Sequence, residues 1–199
     1  ENPLLSGTAA NAALRTGKLD VGSLSGGAAD TMKKECTVCA FYTNVTREGY
    51  YIIHVNHQRP PWNTPDIKDA ISYAMDRAKV GKIGYAGWAG PPVGGPFYPG
   101  SFWDMPDDML AKIPGYNFAD PQGNRAKAKD LLAKAGYRPG ELKLRLDSWV
   151  PSCEPGSIVM REDLEAAGFT VEVVPSGNTR HYEMAYSGEF DVLCSHMTL

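Results

Sequence analysis

The sequence predicts an α/β domain built on a mainly parallel sheet flanked by helices, with a hairpin-like strand pair near the N-terminus. Three observations carry this. From Leu142 onward, strand-like runs at Leu142 to Val150, Phe169 to Val174 and Phe190 to Leu193 are separated by helical patterns at Gly156 to Ala167 and Asn178 to Tyr186. Such β-α-β-α-β alternation implies parallel strands, right-handed crossovers and a sheet covered on both faces. Tyr50 to Val55 (YYIIHV) is a β-branched and aromatic run of the length of a strand buried on both faces. The chain has 199 residues and 43% hydrophobic content, enough for a real core.

Taken in order, Thr8 to Thr16 reads as a short helix closed by Gly17, and Leu19 to Leu24 as a short strand. Gly26 to Lys34 suggests another helix. Ala40 to Thr46 is a strand expected to pair with Tyr50 to Val55 through a turn at Glu48 and Gly49. Pro60 and Pro61 then end the ladder, because neither donates a backbone hydrogen bond. Thr64 stands where an N-cap hydroxyl belongs, Pro65 at the first helical position and Asp66 near the positive helix end. Ile67, Ala70, Ile71, Ala74 and Met75 recur at the spacing of one apolar helix face.

A second short helix is expected over Lys79 to Ile83. Tyr85 to Pro106 holds too many glycines and prolines for regular structure and too many aromatics for a flexible linker, so it reads as an ordered loop, either an aromatic wall beside a ligand or, the favoured reading, a cover over its own lobe. Asp120 and Pro121 repeat the capping logic for a helix to Ala135, with Gly136 just past its end. In open parallel sheets ligands bind beyond the carboxyl ends of the strands, which directs attention to the segments starting at Ser148 and Ser195.

A strand ending in Asn56, a proline pair, a polar turn and a helix closing on AMDR (Ala74 to Arg77) resemble the extracellular solute-binding proteins of family 5. Five further stretches follow that family's order: LRTGKLDVG (Leu14 to Gly22), AKDLLAKAGY (Ala128 to Tyr137), LKLRL (Leu142 to Leu146), LEAAGFTVEVV (Leu164 to Val174) and SGEFDVL (Ser187 to Leu193). The resemblance implies a class II periplasmic-binding-protein-like lobe, taken from the middle of a chain more than twice as long. It implies a segment 1–56 near the hinge between lobes and an α/β ligand-binding lobe 57–199, incomplete at its C-terminus. The implied function is the substrate-binding component of an ABC importer, which captures a peptide or other small solute between two lobes and delivers it to a membrane permease, as a periplasmic or extracytoplasmic monomer that is not an enzyme.

For the site, the resemblance implies that Ser148, Trp149, Pro151 and Ser152 give apolar and hydroxyl contacts, with Ser195, His196 and Met197 lining the opposite part of the same lip. Family members often present an aromatic ring where His196 stands. In the family's strand order the first strand of the β-α-β-α-β unit lies beside the third. Neighbouring strands ~4.8 Å apart are within disulfide reach, so a Cys153–Cys194 bridge is expected. Cys36 and Cys39 would then pair locally or stay reduced.

Cys36-Thr-Val-Cys39 has the CxxC spacing of redox and zinc sites, which keeps a thiol-redox or zinc-dependent protein as an alternative, beside an interaction domain without transport function. A redox site wants the motif at a helix N-terminus after a strand, and a zinc site wants a second ligand pair. Neither context is present in the sequence, so a structural role or a local disulfide is favoured. The histidines His54, His57, His181 and His196 form no HExxH, and His181 reads as part of a polar helix face. There is no nucleophile elbow or phosphate loop. No metal and no cofactor are expected.

A net charge of −3 with interleaved signs offers no basic stripe for nucleic acid and no polybasic segment for a membrane surface. No apolar run approaches the ~20 residues of a spanning helix. The chain opens on Glu1, so any targeting segment is expected to have been removed.

Overall fold

The computed structural model describes residues 7–22, 24, 27–42, 49–84, 102, 104–150 and 152–198. Helices α1 (Gly7–Arg15) and α2 (Gly27–Glu35) precede strand β1 (Gly49–Val55). Next come α3 (Pro65–Ala74), α4 (Arg77–Lys79) running into a π-helical turn at Val80–Gly84, α5 (Asp107–Leu110) and α6 (Pro121–Lys134). The chain then alternates through β2 (Lys143–Trp149), α7 (Glu154–Ala167), β3 (Thr170–Ser176), α8 (Asn178–Ser187) and β4 (Val192–Thr198).

The four strands form one sheet in the order β1-β4-β2-β3. β2 runs parallel to both β3 and β4, so the first strand of the alternating unit does lie beside the third. β1 is antiparallel to β4 from Gly49 opposite Thr198 to Val55 opposite Val192. The other edge of β1 faces no described strand, and most of the strand expected to pair with it as a hairpin is not described. Residues 43–48 lie outside the described residues, Ala40–Tyr42 are irregular, and β1 finds its partner some 140 residues downstream. The strand expected at Leu19 to Leu24 is absent, since 19–22 and 24 carry no regular structure. The aromatic loop of Tyr85 to Pro106 falls almost wholly outside the described residues.

Alternate residues of β2 explain how the two faces are filled. Leu144 and Leu146 are fully buried with Ile67 and Ile71 of α3, Ala128 and Leu132 of α6, and Val159 and Leu164 of α7. Burying each such aliphatic side chain stabilises by ~1.5–3 kcal/mol, so this face holds the main core. On the other face Arg145 and Asp147 meet α8, where an Arg145 guanidinium nitrogen lies 3.3 Å from the Met184 sulfur.

The helix ends show which caps operate. Asp120 accepts from the Gly123 N–H at 2.8 Å, and Pro121 occupies the first turn of α6, as the sequence requires. At α3 Pro65 is likewise in the first turn, but the Thr64 hydroxyl makes no capping bond. The Thr64 carbonyl takes the Ile67 and Lys68 N–H groups instead.

The AMDR stretch ends α3 and turns the chain. The Asp76 carboxylate accepts from Lys79 N at 3.0 Å, which starts α4. Arg77 bonds the carbonyls of Ser72 and Gly115, both at 3.0 Å, and lies 4.0 Å from the centre of the Tyr116 ring. Gly115 has φ +77°, and a Cβ there would run into the Ser72 carbonyl, so only glycine lets this loop approach.

The proline turn, whose Pro60–Pro61 bond is cis, is fixed to the sheet by buried polar groups. Asn56 Nδ2 donates to the carbonyls of Gly188 (2.9 Å) and Phe190 (2.8 Å). Trp62 Nε1 donates to Asp191, whose second oxygen accepts from Arg145 N. These contacts join the NHQRPPW and SGEFDVL stretches at the amino ends of β2 and β4, leaving the opposite ends for the site.

Candidate functional site

At the carboxyl ends of the parallel strands β2 stops at Trp149, while β4 continues to Thr198. The β2–β4 register runs Leu146 opposite Val192, Asp147 opposite Leu193 and Ser148 opposite Cys194. Past that point β4 pairs only with β1 among the described residues, so Ser195 to Thr198 project as one half of a two-stranded ribbon. The lip is therefore a step: β2 ends at an aromatic ring and β4 overhangs it.

Trp149 is partly exposed on that step. Its ring stacks on His181 with centroids 5.3 Å apart and planes 21° apart, and Tyr182 sits at 6.4 Å. The indole N–H donates to Asn178 Oδ1 at 2.6 Å. His181 in turn lies 2.9 Å from the Ser195 hydroxyl through Nε2. Trp149, His181 and Ser195 thus form a continuous chain from β2 through α8 to β4.

The other expected site residues fall elsewhere. Ser148 is 1% exposed and its hydroxyl lies 2.8 Å from that of Ser157, on the core side of the sheet. A hydroxyl so enclosed has no face left for a solute. Ser152 is partly exposed in the turn between β2 and α7. Pro151 lies outside the described residues. His196 and Met197 belong to the overhang, with backbones opposite Tyr51 and Tyr50.

The expected Cys153–Cys194 disulfide is not formed. Cys194 faces Ser148 in register, whereas Cys153 comes five residues later as the N-cap of α7, and both are buried as thiols. The strand order is as expected, and both thiols lie near Tyr51 in one buried cluster, but no bond joins them. The disulfide in the structure joins Cys36 to Cys39, just past α2, as local pairing requires.

Reading the sequence missed His181. It is 3% exposed, not part of a polar surface, and with Met184 it forms the inward stripe of α8. The i, i+3 spacing of His181 and Met184 was the available signal, hidden because half of that stripe is polar. Burial pushes the His181 imidazole below its ordinary value, and His54 adds to the shift. Burial does the same to His54. On the same face Asp147 is fully buried and paired with Arg145 at 2.6 Å, and burial still pushes its carboxyl up.

The lip offers the partly exposed Trp149 ring and Ser195 hydroxyl, backed by the buried His181 imidazole, which suits apolar and hydrogen-bonding contact with a small solute. Among the described residues no three His, Cys, Asp or Glu side chains gather as a metal site. No described helix is long and apolar enough to cross a membrane.

A model of the family described as bacterial extracellular solute-binding proteins, family 5 Middle, matches residues 4–198. The chain is 29% identical over 92 residues to the glutathione-binding protein GsiB of Escherichia coli O6:K15:H31, covering 44% of this chain and 15% of that one. Its fold matches the oligopeptide-binding protein AppA of Bacillus subtilis, solved with a nonapeptide, at TM-score 0.75 and 21% identity, covering 96% of this chain and 39% of AppA. A mannohexaose-bound periplasmic oligopeptide-binding protein of Thermotoga maritima matches at TM-score 0.74 and 20% identity, covering 94% of this chain and 37% of that one. The chain therefore spans well under half the length of these relatives.

Proposed function

The chain belongs to family 5 of the bacterial extracellular solute-binding proteins, and from that premise we propose that it is one lobe of the substrate-binding component of an ABC importer. The lobe captures a peptide or other small solute against a second lobe and presents the closed form to a permease. It works outside the cytoplasm as a monomer, breaks no bond and needs no cofactor. Residues 57–199 form the ligand-binding part, and 1–56 the part nearer the second lobe.

The observation that carries this reading is the step between β2 and β4, where the partly exposed Trp149 ring and the Ser195 hydroxyl share one lip. Trp149, Ser152 and Ser195 are the contacts on this side, with His196 and Met197 further along the overhang. Ser148 acts behind them by holding the turn to α7. The named relatives are described with glutathione, a nonapeptide and mannohexaose, so solute class varies on this fold and is decided by the side chains at the lip.

The test is a thermal-shift screen of the full-length protein against glutathione, di- to nonapeptides, nickel chelates and oligosaccharides, followed by calorimetry. A solute at 100 times its dissociation constant should stabilise by roughly 2.7 kcal/mol. Trp149→Ala should weaken binding of that solute by more than ~1 kcal/mol. A solute that binds the variant and the parent equally would remove Trp149 from the site.

A further inference from the structure

We propose that His181 is the positioning residue of the lip: in its neutral form it couples Trp149 at the end of β2 to Ser195 on β4, and protonation of its ring uncouples them. The consequence for solute capture rests on the solute-binding reading above; the coupling itself does not.

The geometry leaves His181 no other occupation. It is enclosed between the Trp149 ring on one side, the Ser195 hydroxyl at Nε2 and the edge contact of Tyr182, 5.4 Å away and 77° inclined. Its Nδ1 is buried and has no hydrogen-bond partner among the described residues. A neutral imidazole needs one acceptor and one donor, whereas an imidazolium needs two acceptors. Only the Ser195 oxygen is in place as an acceptor.

The charged groups on this face do not supply the second. From β1 comes His54, whose charge repels that of His181. From β2 come Arg145 and Asp147, whose Oδ1 is joined to Arg145 and whose buried Oδ2 bonds no described group, His181 Nδ1 included. From α8 itself comes Arg180, held at the surface by Glu183 and Glu189 at 3.7 and 3.5 Å. A protonated His181 would be a buried cation facing a second histidine, on a face whose carboxylates are already engaged by Arg145 and Arg180. Leaving its pocket for water is the available relief, and that movement withdraws the surface on which Trp149 stacks.

Burial already lowers the affinity of this ring for a proton, so the transition should fall below about pH 6.5. The experiment follows Trp149 emission from pH 7.5 to 4.5 in the full-length protein, taking the difference from Trp149→Phe to remove the other tryptophans. A red shift with a single midpoint below about 6.5 in the parent, absent from His181→Gln while its emission at pH 7.5 is kept, is the expected result. An uncharged amide keeps a polar group facing Ser195 but cannot titrate. His54→Gln should leave the transition in place.

If His181→Gln does not fold, the imidazole signals of the parent, labelled with 13C-histidine, decide the matter. A His181 midpoint that coincides with that of Trp149 supports the coupling, and different midpoints overturn it. A pH-independent Trp149 signal, or the same transition in His181→Gln, likewise overturns it. None of these measurements uses a solute, so an empty ligand screen would count against the transport reading and leave this result untouched.

Discussion

Trp62 Nε1 donates to Asp191 Oδ1 at 2.8 Å, across 129 positions of sequence, and so locks the proline turn to the start of β4. The second oxygen of the same carboxylate accepts from Arg145 N at 3.1 Å, which adds the start of β2. One side chain therefore registers three segments. Trp62 is 3% exposed, and its N–H has no route to water if the carboxylate is lost.

Asp191→Ala should accordingly destabilise the fold by about 2–4 kcal/mol, since each stranded donor costs ~1–3 kcal/mol. Asp191→Asn keeps one acceptor oxygen and should cost roughly half as much. Urea denaturation of the two variants measures this. Equal losses would mean that the negative charge toward Arg59, 3.7 Å away, matters more than the two hydrogen bonds.

Asp163 of α7 is 1% exposed and accepts from Lys79 Nζ at 2.8 Å and from Asp76 N at 3.1 Å, with Arg125 at 3.7 Å. Removing this carboxylate leaves two cations and an amide facing an apolar gap, so Asp163→Ala should cost about 3 kcal/mol, the lower end for a broken buried pair. Lys79→Met should cost less, about 1–2 kcal/mol, because Arg125 and the Asp76 amide still compensate the buried charge. The hydrogen bond to Asp163 raises the Lys79 pKa above 10.5, so this pairing is fully present below about pH 10.5 and is lost as alkali carries the pH through the raised value. Thermal melts of the parent and Lys79→Met should keep a constant gap from pH 8 to about 10.5 and draw together only at higher pH. A gap that stays constant above that pH would show that Lys79 acts through its aliphatic stem.

The cysteines make a third, direct prediction. Non-reducing peptide mapping should yield a Cys36–Cys39 linked peptide. Cys153 and Cys194, both 0% exposed, should resist alkylation in the native protein and react in denaturant. A Cys153–Cys194 cross-link would contradict the two free, buried thiols of the structure.

The elements that the sequence disclosed well are those whose information is local. Asp120, Pro121 and Gly136 bracket α6 because caps are made by neighbours in the chain, and β2, β3 and α7 follow from periodicity and crossover logic. The pairing of β1 with β4 was not foreseen, for the opposite reason. A turn at Glu48 and Gly49 suggested a hairpin, but alternation states that a strand is buried, not which strand lies beside it. The lip was half legible: strand ends located Trp149 and Ser195, while Ser148, one residue earlier, faces the core by the same two-residue alternation. His181 was illegible by composition, since a short helix with few apolar residues can turn a histidine inward when a hydroxyl and an indole await it.

The overhang of β4 has a mechanical meaning. Through Ser148 the sheet is a multi-stranded plate, stiffened on its core face by α3, α6 and α7; beyond it β4 keeps only its pairing with β1 among the described residues, while β2 stays with β3 to Trp149 opposite Ser176. Two-stranded ribbons twist more readily than wide sheets, so compliance in this lobe changes abruptly at one register position. The contact of Ser195 with His181 crosses this step and so acts as a clasp between the two parts of the lobe.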